Sequence, residues 1–112
     1  MIKLIVAIKR KQGMSPKDFH AYWRTHHATL VKSCAASRRY VRKYVQCHTL
    51  EQEYPAGEPA FDGTAELWFE SVAEKDRFFS DPDYLAQIQP DEARFSDMPH
   101  CMFFMTEEQP II

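Results

Sequence analysis

With 112 residues, 45% of them hydrophobic and 27% charged, the chain has room for one globular domain spanning 1–112 and one core. Its formal net charge of -2 excludes a general nucleic-acid or membrane-surface binder, which needs a basic excess. Three cysteines, Cys34, Cys47 and Cys101, without CxxC pairing, fit a reduced cytoplasmic protein rather than a disulfide framework.

Residues 2–9 alternate, with Ile2, Leu4, Val6 and Ile8 on one face, and predict a strand too short and too charged to span a membrane. Gly13 marks a turn. Ser15-Pro16-Lys17-Asp18 then supplies an N-cap, a proline at the first helical position and an early carboxylate, so a helix starts at Pro16. At about 100° per residue, Phe19, Trp23, His26 and Leu30 form its inward stripe, with Tyr22 and His27 on the two shoulders.

A second strand is predicted over residues 39–49, where Val41, Val45 and Cys47 alternate with Tyr40, Tyr44 and His48. The basic run Arg38, Arg39, Arg42 and Lys43 reads as a solvated strand face. Residues 50–63 carry prolines, glycines and acids without periodicity and read as a mobile loop. Residues 64–70 predict a third strand, and Ser71-Val72-Ala73-Glu74 is a capping box that opens a second helix with Val72, Phe78 and Phe79 on its apolar side. Asp81-Pro82 restarts a helix that Pro90 ends or kinks. A last strand covers residues 100–105, and the tail 107–112 extends it or reaches a partner.

The order strand, helix, strand, strand, helix, strand predicts an α+β, ferredoxin-like β-α-β-β-α-β domain, with helices on one face of a four-stranded antiparallel sheet. Several strands carry apolar residues on both faces. A second copy packed on the far face, a homodimer, is the simplest way to bury them.

Gly13-Met14-Ser15 leading into Phe19, Tyr22-Trp23 and His26-His27-Ala28 resembles the signature of the EthD family. Phe61-Asp62-Gly63, Ala65-Glu66-Leu67-Trp68-Phe69 and Asp91-Glu92-Ala93-Arg94-Phe95 are similar to its middle and C-terminal motifs. The resemblance implies a dimeric α+β barrel, with a pocket between sheet and helices in each protomer and with the loop 50–63 able to shape its mouth. Related branches include lactone isomerases, polyketide cyclases, dehydratases and cofactor-independent monooxygenases, so the fold leaves the reaction open.

The chemistry expected of such a pocket falls on a few residues. His26 is the first candidate base, because imidazole exchanges protons near neutral pH and the helical stripe turns it inward; lactone isomerases of the superfamily carry a functional histidine on the same helix. Its alternative is a core histidine bonded to backbone or to another side chain. His27, Tyr22 and Asp91 are candidate partners, Asp91 alternatively being a helix-start acid. Phe19, Trp23 and Trp68 are candidate aromatic contacts for the substrate or plain core, and Arg94 could pair with Asp91 or hold an anion. His20, His26 and His27 are spread around the helix, so no metal is expected, and no cofactor motif occurs. The expected partner is a small hydrophobic or aromatic molecule. Three functions follow: cofactor-free isomerase, cyclase, dehydratase or lactone chemistry; cofactor-independent oxygenation; or non-enzymatic ligand binding as an accessory of an oxygenase system.

Overall fold

Alternating apolar residues produce four strands in the computed structural model, which describes residues 1–112: β1 (Ile2–Ile8), β2 (Lys43–His48), β3 (Gly63–Phe69) and β4 (Met102–Thr106). They form one antiparallel sheet in the order β2-β3-β1-β4, the α+β ferredoxin-like arrangement. Directly paired residues share a face. Leu4 opposite Leu67 and Val6 opposite Ala65 therefore point to one side, and Lys3 opposite Trp68 and Ile5 opposite Glu66 point to the other.

Five helices cover the first side: α1 (Pro16–Tyr22), α2 (Ala28–Ser33), α3 (Ala35–Tyr40), α4 (Val72–Ser80) and α5 (Gln89–Phe95). Two caps start as the sequence predicts. The amide of Asp18 donates to Ser15 Oγ at 3.1 Å, and that of Glu74 to Ser71 Oγ at 3.1 Å, each satisfying a donor left free by the first turn. Phe19, Trp23, Phe69, Phe78 and Phe95 are almost completely buried and hold the layers together, each such side chain contributing about 1.5–3 kcal/mol by leaving water.

Several expectations change. Residues 35–40 form α3 rather than the start of a strand, so Arg39 and Tyr40 are helical. Cys34, in an extended conformation, separates α2 from this short helix. Val72 is half exposed, leaving the inner side of α4 to Phe78 and the partly buried Phe79. The segment expected as a mobile loop contains a 3-10 helix, Glu51–Ala56, and is tied down by Tyr54, which bonds both His20 and Asp62.

The largest difference concerns two π turns. Trp23–His27 joins α1 to α2, and Tyr84–Ile88 precedes α5. A π turn inserts an extra residue into the helical repeat. The buried series is consequently Phe19, Trp23, His27 and Val31, every fourth residue, instead of Phe19, Trp23, His26 and Leu30. Pro90 lies at the start of α5, where its missing N–H matters least.

Candidate active site

The first π turn decides which histidine faces inward. His27 is 6% exposed, whereas the side chain of His26 is 52% exposed. The expectation that His26 lines the pocket is therefore corrected: the added residue rotates it outward and brings its neighbour in.

Both histidines nevertheless meet Asp91, a fully buried carboxylate at the start of α5. His27 Nδ1 lies 2.8 Å from Asp91 Oδ2, and the Tyr22 hydroxyl donates to Asp91 Oδ1 at 2.5 Å. His26 Nε2 is 3.4 Å from Oδ1, with its ring against that of Tyr22, and Arg94 approaches the same oxygen at 3.3 Å from the surface. Three of the candidate catalytic residues, His26, His27 and Tyr22, thus converge on the carboxylate of the fourth, Asp91. Burial pushes the Asp91 pKa up, but the bonds from Tyr22 and His27 outweigh it and leave the group below the ordinary carboxylate value. Burial lowers the His27 pKa against the opposing pull of Asp91. A neutral His27 with its proton on Nδ1 suits the ionised Asp91 and leaves Nε2 with a free lone pair.

His27 lines a cavity of about 80 Å³ between helices and sheet, most of whose walls are apolar. Other side chains with polar atoms among its lining are those of Glu92, Ser96, Tyr84, Tyr44, Trp23 and Cys101. Both carboxyl oxygens of Glu92 receive the Tyr84 hydroxyl at 3.1 Å. Burial pushes the Glu92 carboxyl up to about 7, with the Asp91 charge adding and the Tyr84 bond opposing. The cavity therefore combines a neutral imidazole, held by an ionised carboxylate behind it, with a carboxylic acid poised to give up its proton near neutral pH.

A second polar cluster lies along the other edge of α1. Buried Asp62 receives Arg10 Nη1 and the Arg10 amide, each at 2.8 Å, and the Tyr54 hydroxyl at 2.7 Å. Tyr54 meets His20 Nε2 at 2.9 Å, His20 meets His48 through their Nδ1 atoms at 2.6 Å, and His48 Nε2 meets Gln46 Oε1 at 2.8 Å. An open cleft of about 460 Å³ adjoins Arg10. Most of its charges pair among themselves, Lys9 and Arg10 with Glu58 and Asp97 with His100, which favours the smaller apolar cavity as the reaction site.

The remaining candidates separate. Phe19 is fully buried against Trp23 and Phe95 and belongs to the core. Trp68 is on the far face of the sheet, held by Lys3 and Lys43 over its ring and by Glu108 on its indole nitrogen; strand alternation keeps it away from the cavity. Arg94 is exposed and reaches only the outer side of Asp91. None of the segment 50–63 lines the cavity, so it does not form the expected mouth. Trp23 does line it. Sequence reasoning missed Glu92 and Tyr44, although Tyr84, Ile88 and Glu92 recur at every fourth position, which puts an acid on an apolar helical stripe.

The fold is shared with other solved proteins. An ethyl tert-butyl ether d (ethd) family protein from Bacillus halodurans superposes with a TM-score of 0.72 at 17% identity, over 97% of this chain and 99% of that one. A dimeric protein of unknown function with a ferredoxin-like fold from Bacteroides fragilis gives 0.69 at 13%, over 96% and 95%. SnoaB, a cofactor-independent oxygenase from Streptomyces nogalater, gives 0.61 at 10%, over 98% and 95%. No curated protein matches the sequence. The EthD domain model matches residues 11–99, a stretch running from the turn before α1 past Asp91 and Glu92. The chain belongs to the EthD family.

Proposed function

We propose that this protein is a cofactor-free acid/base enzyme that acts on a small, largely apolar carbonyl or aromatic compound. The observation that carries the reading is the buried His27 beside the cavity, with Asp91 on Nδ1. Proton abstraction from a carbon next to a carbonyl places the proton on Nε2, and Asp91 stabilises the imidazolium that forms. Glu92 supplies a proton to the developing oxygen or to a departing hydroxyl, which leaves as water. In either case a proton returns from His27 to Glu92 through solvent, and the protein ends as it began. Isomerisation, cyclisation and dehydration all use these transfers.

A homodimer is part of the proposal. Phe104 and Met102, which pair with Ile5 and Ala7 on the far face, are 52% and 61% exposed, and a second sheet would remove them from water. The dimeric relative with the same fold supports this assembly. No helix is long and apolar enough to cross a membrane.

The test uses exchange of the α-hydrogens of cyclopentanone in heavy water, followed by proton NMR. His27→Gln is expected to slow protein-catalysed exchange about 100-fold or more, and His26→Gln to leave most of it. Exchange by the His27 variant at the unaltered rate would contradict the proposal. A second reading, cofactor-independent oxygenation, draws on the likeness to SnoaB; oxygen uptake with 1,4-dihydroxynaphthalene, lost in the same variant, would favour it.

A further inference from the structure

Two consecutive histidines stand on opposite sides of one carboxylate. The π turn Trp23–His27 brings His27 inward, with Nδ1 2.8 Å from Asp91 Oδ2. It leaves His26 outside, with Nε2 3.4 Å from Oδ1 and its ring 4.8 Å from that of Tyr22. Three groups crowd Oδ1: the Tyr22 hydroxyl, the Arg94 guanidinium and His26. Burial and then Asp91 raise the Tyr22 pKa, so it stays a neutral donor, and a guanidinium stays charged at every accessible pH. His26 is the one of the three whose type changes charge between about pH 5 and 8. Half of its side chain is in water, where it exchanges protons with the solvent.

Asp91 carries one negative charge for two imidazoles. Water solvates a cation on the half-exposed His26 but not one on the buried His27, so the first proton belongs outside. Once there, it places a positive charge beside Oδ1, and the same carboxylate would have to serve two imidazolium ions if His27 took a second. The His27 pKa follows this balance: burial lowers it most, Asp91 raises it, and His26 lowers it. Nothing on the cavity side offsets the effect in acid. Burial keeps Tyr84, Tyr44 and Cys101 protonated, and Glu92, pushed up to about 7, is neutral below that pH. The two histidines therefore titrate as a coupled pair rather than one by one.

We propose that His26 guards the base: by taking the first proton on the solvent side of Asp91, it keeps His27 neutral on the cavity side as the solution turns acidic. The inference rests on the reading of His27 as the base and adds the group that controls it. His26 touches no substrate; it is a positioning residue that acts through the carboxylate the two histidines share. At neutral pH, with His26 uncharged, Asp91 is free to stabilise the imidazolium that forms on His27 during proton abstraction. In acid the charge on His26 makes His27 a weaker base but preserves its lone pair, so activity fades over a wider pH range than a single histidine would give.

The test follows the histidine ring nitrogens of the intact protein by NMR through the range in which imidazole titrates, with His26→Gln and His27→Gln assigning the two rings by the signals they remove. In the unaltered protein His26 should take up its proton at higher pH than His27, and the His27 resonances should respond to both events. His26→Gln should leave one His27 step and move its midpoint upward by about half a pH unit, a three-fold gain in proton affinity. His26→Arg, charged at every pH, should hold the midpoint at or below that of the unaltered protein. The acid limb of cyclopentanone α-hydrogen exchange should move with these midpoints, upward in His26→Gln and not in His26→Arg. A His27 midpoint that is the same in both variants, or a first proton on His27, would overturn the proposal. Midpoints that separate as expected, with no α-hydrogen exchange by any form of the protein, would sink the acid/base reading and leave the guard standing; exchange that depends on His27 while its midpoint ignores both His26 variants would do the reverse.

Discussion

Asp62 and Asp91 are the two fully buried carboxylates of the molecule, and their surroundings differ in one respect that bears on function. Asp62 is matched by a guanidinium that stays charged at every accessible pH: Arg10 grips it through side chain and backbone, and its own pKa is raised further by Glu58 and Asp62. Asp91 is matched mainly by groups that gain and lose protons, Tyr22, His26 and His27, with Arg94 only at its outer edge. A permanently neutralised carboxylate fastens the strand β1 to the segment before β3. A carboxylate matched by imidazole tunes a base.

Substitutions at the two aspartates should therefore fail in different ways. Asp62→Asn leaves Arg10 partly uncompensated and is expected to cost about 3 kcal/mol of unfolding free energy, the scale of a broken buried pair, measurable by urea denaturation. Asp91→Asn should cost less stability but slow α-hydrogen exchange about 100-fold, because the amide can hold His27 in the wrong tautomer. If the two variants lost stability equally and exchange survived in both, the distinction between them would collapse.

Acid separates the regions further. The His48 pKa is lowered to about 4, first by burial and then by His20 and Arg24, and His20 is lowered by burial. A depressed folded-state value stabilises the protein above the unfolded pKa of about 6.5, and this contribution is lost as pH falls through that of the folded state. Stability should thus decline between about 6.5 and 4, and His48→Gln should flatten the decline. In the other region, activity should follow a bell, rising as His27 loses its proton below the ordinary histidine value and falling as Glu92 ionises around 7. Glu92→Gln should remove the alkaline limb if exchange persists. The smallest effect is expected at Arg94, whose exposed pair with Asp91 is worth about 0.5 kcal/mol or less; Arg94→Gln should leave the melting curve nearly unchanged.

Much of the scaffold is legible in local sequence. Ser15 and Ser71 announce their helices because capping is decided within four residues, and β1 and β3 announce themselves by alternation. The inward histidine is not legible in the same way. Assigning His26 or His27 to the core requires knowing that the helix widens at Trp23–His27, and the uniform spacing of four from Phe19 to Val31 is the trace this leaves. The contact between His27 and Asp91 spans 64 positions, so periodicity suggests the partners but cannot join them. The short helix α3 has too few residues to display an apolar period, and Trp68 looked suited to a pocket because alternation alone does not tell which face of a sheet the helices cover.

The account stands most directly on the protonation of His27. Nitrogen NMR of the histidine rings at neutral pH should find His27 neutral, with its proton on Nδ1 and a bare Nε2, and Asp91→Asn should disturb that tautomer. A His27 protonated on Nε2 alone, or an imidazolium persisting through neutral pH, would contradict it.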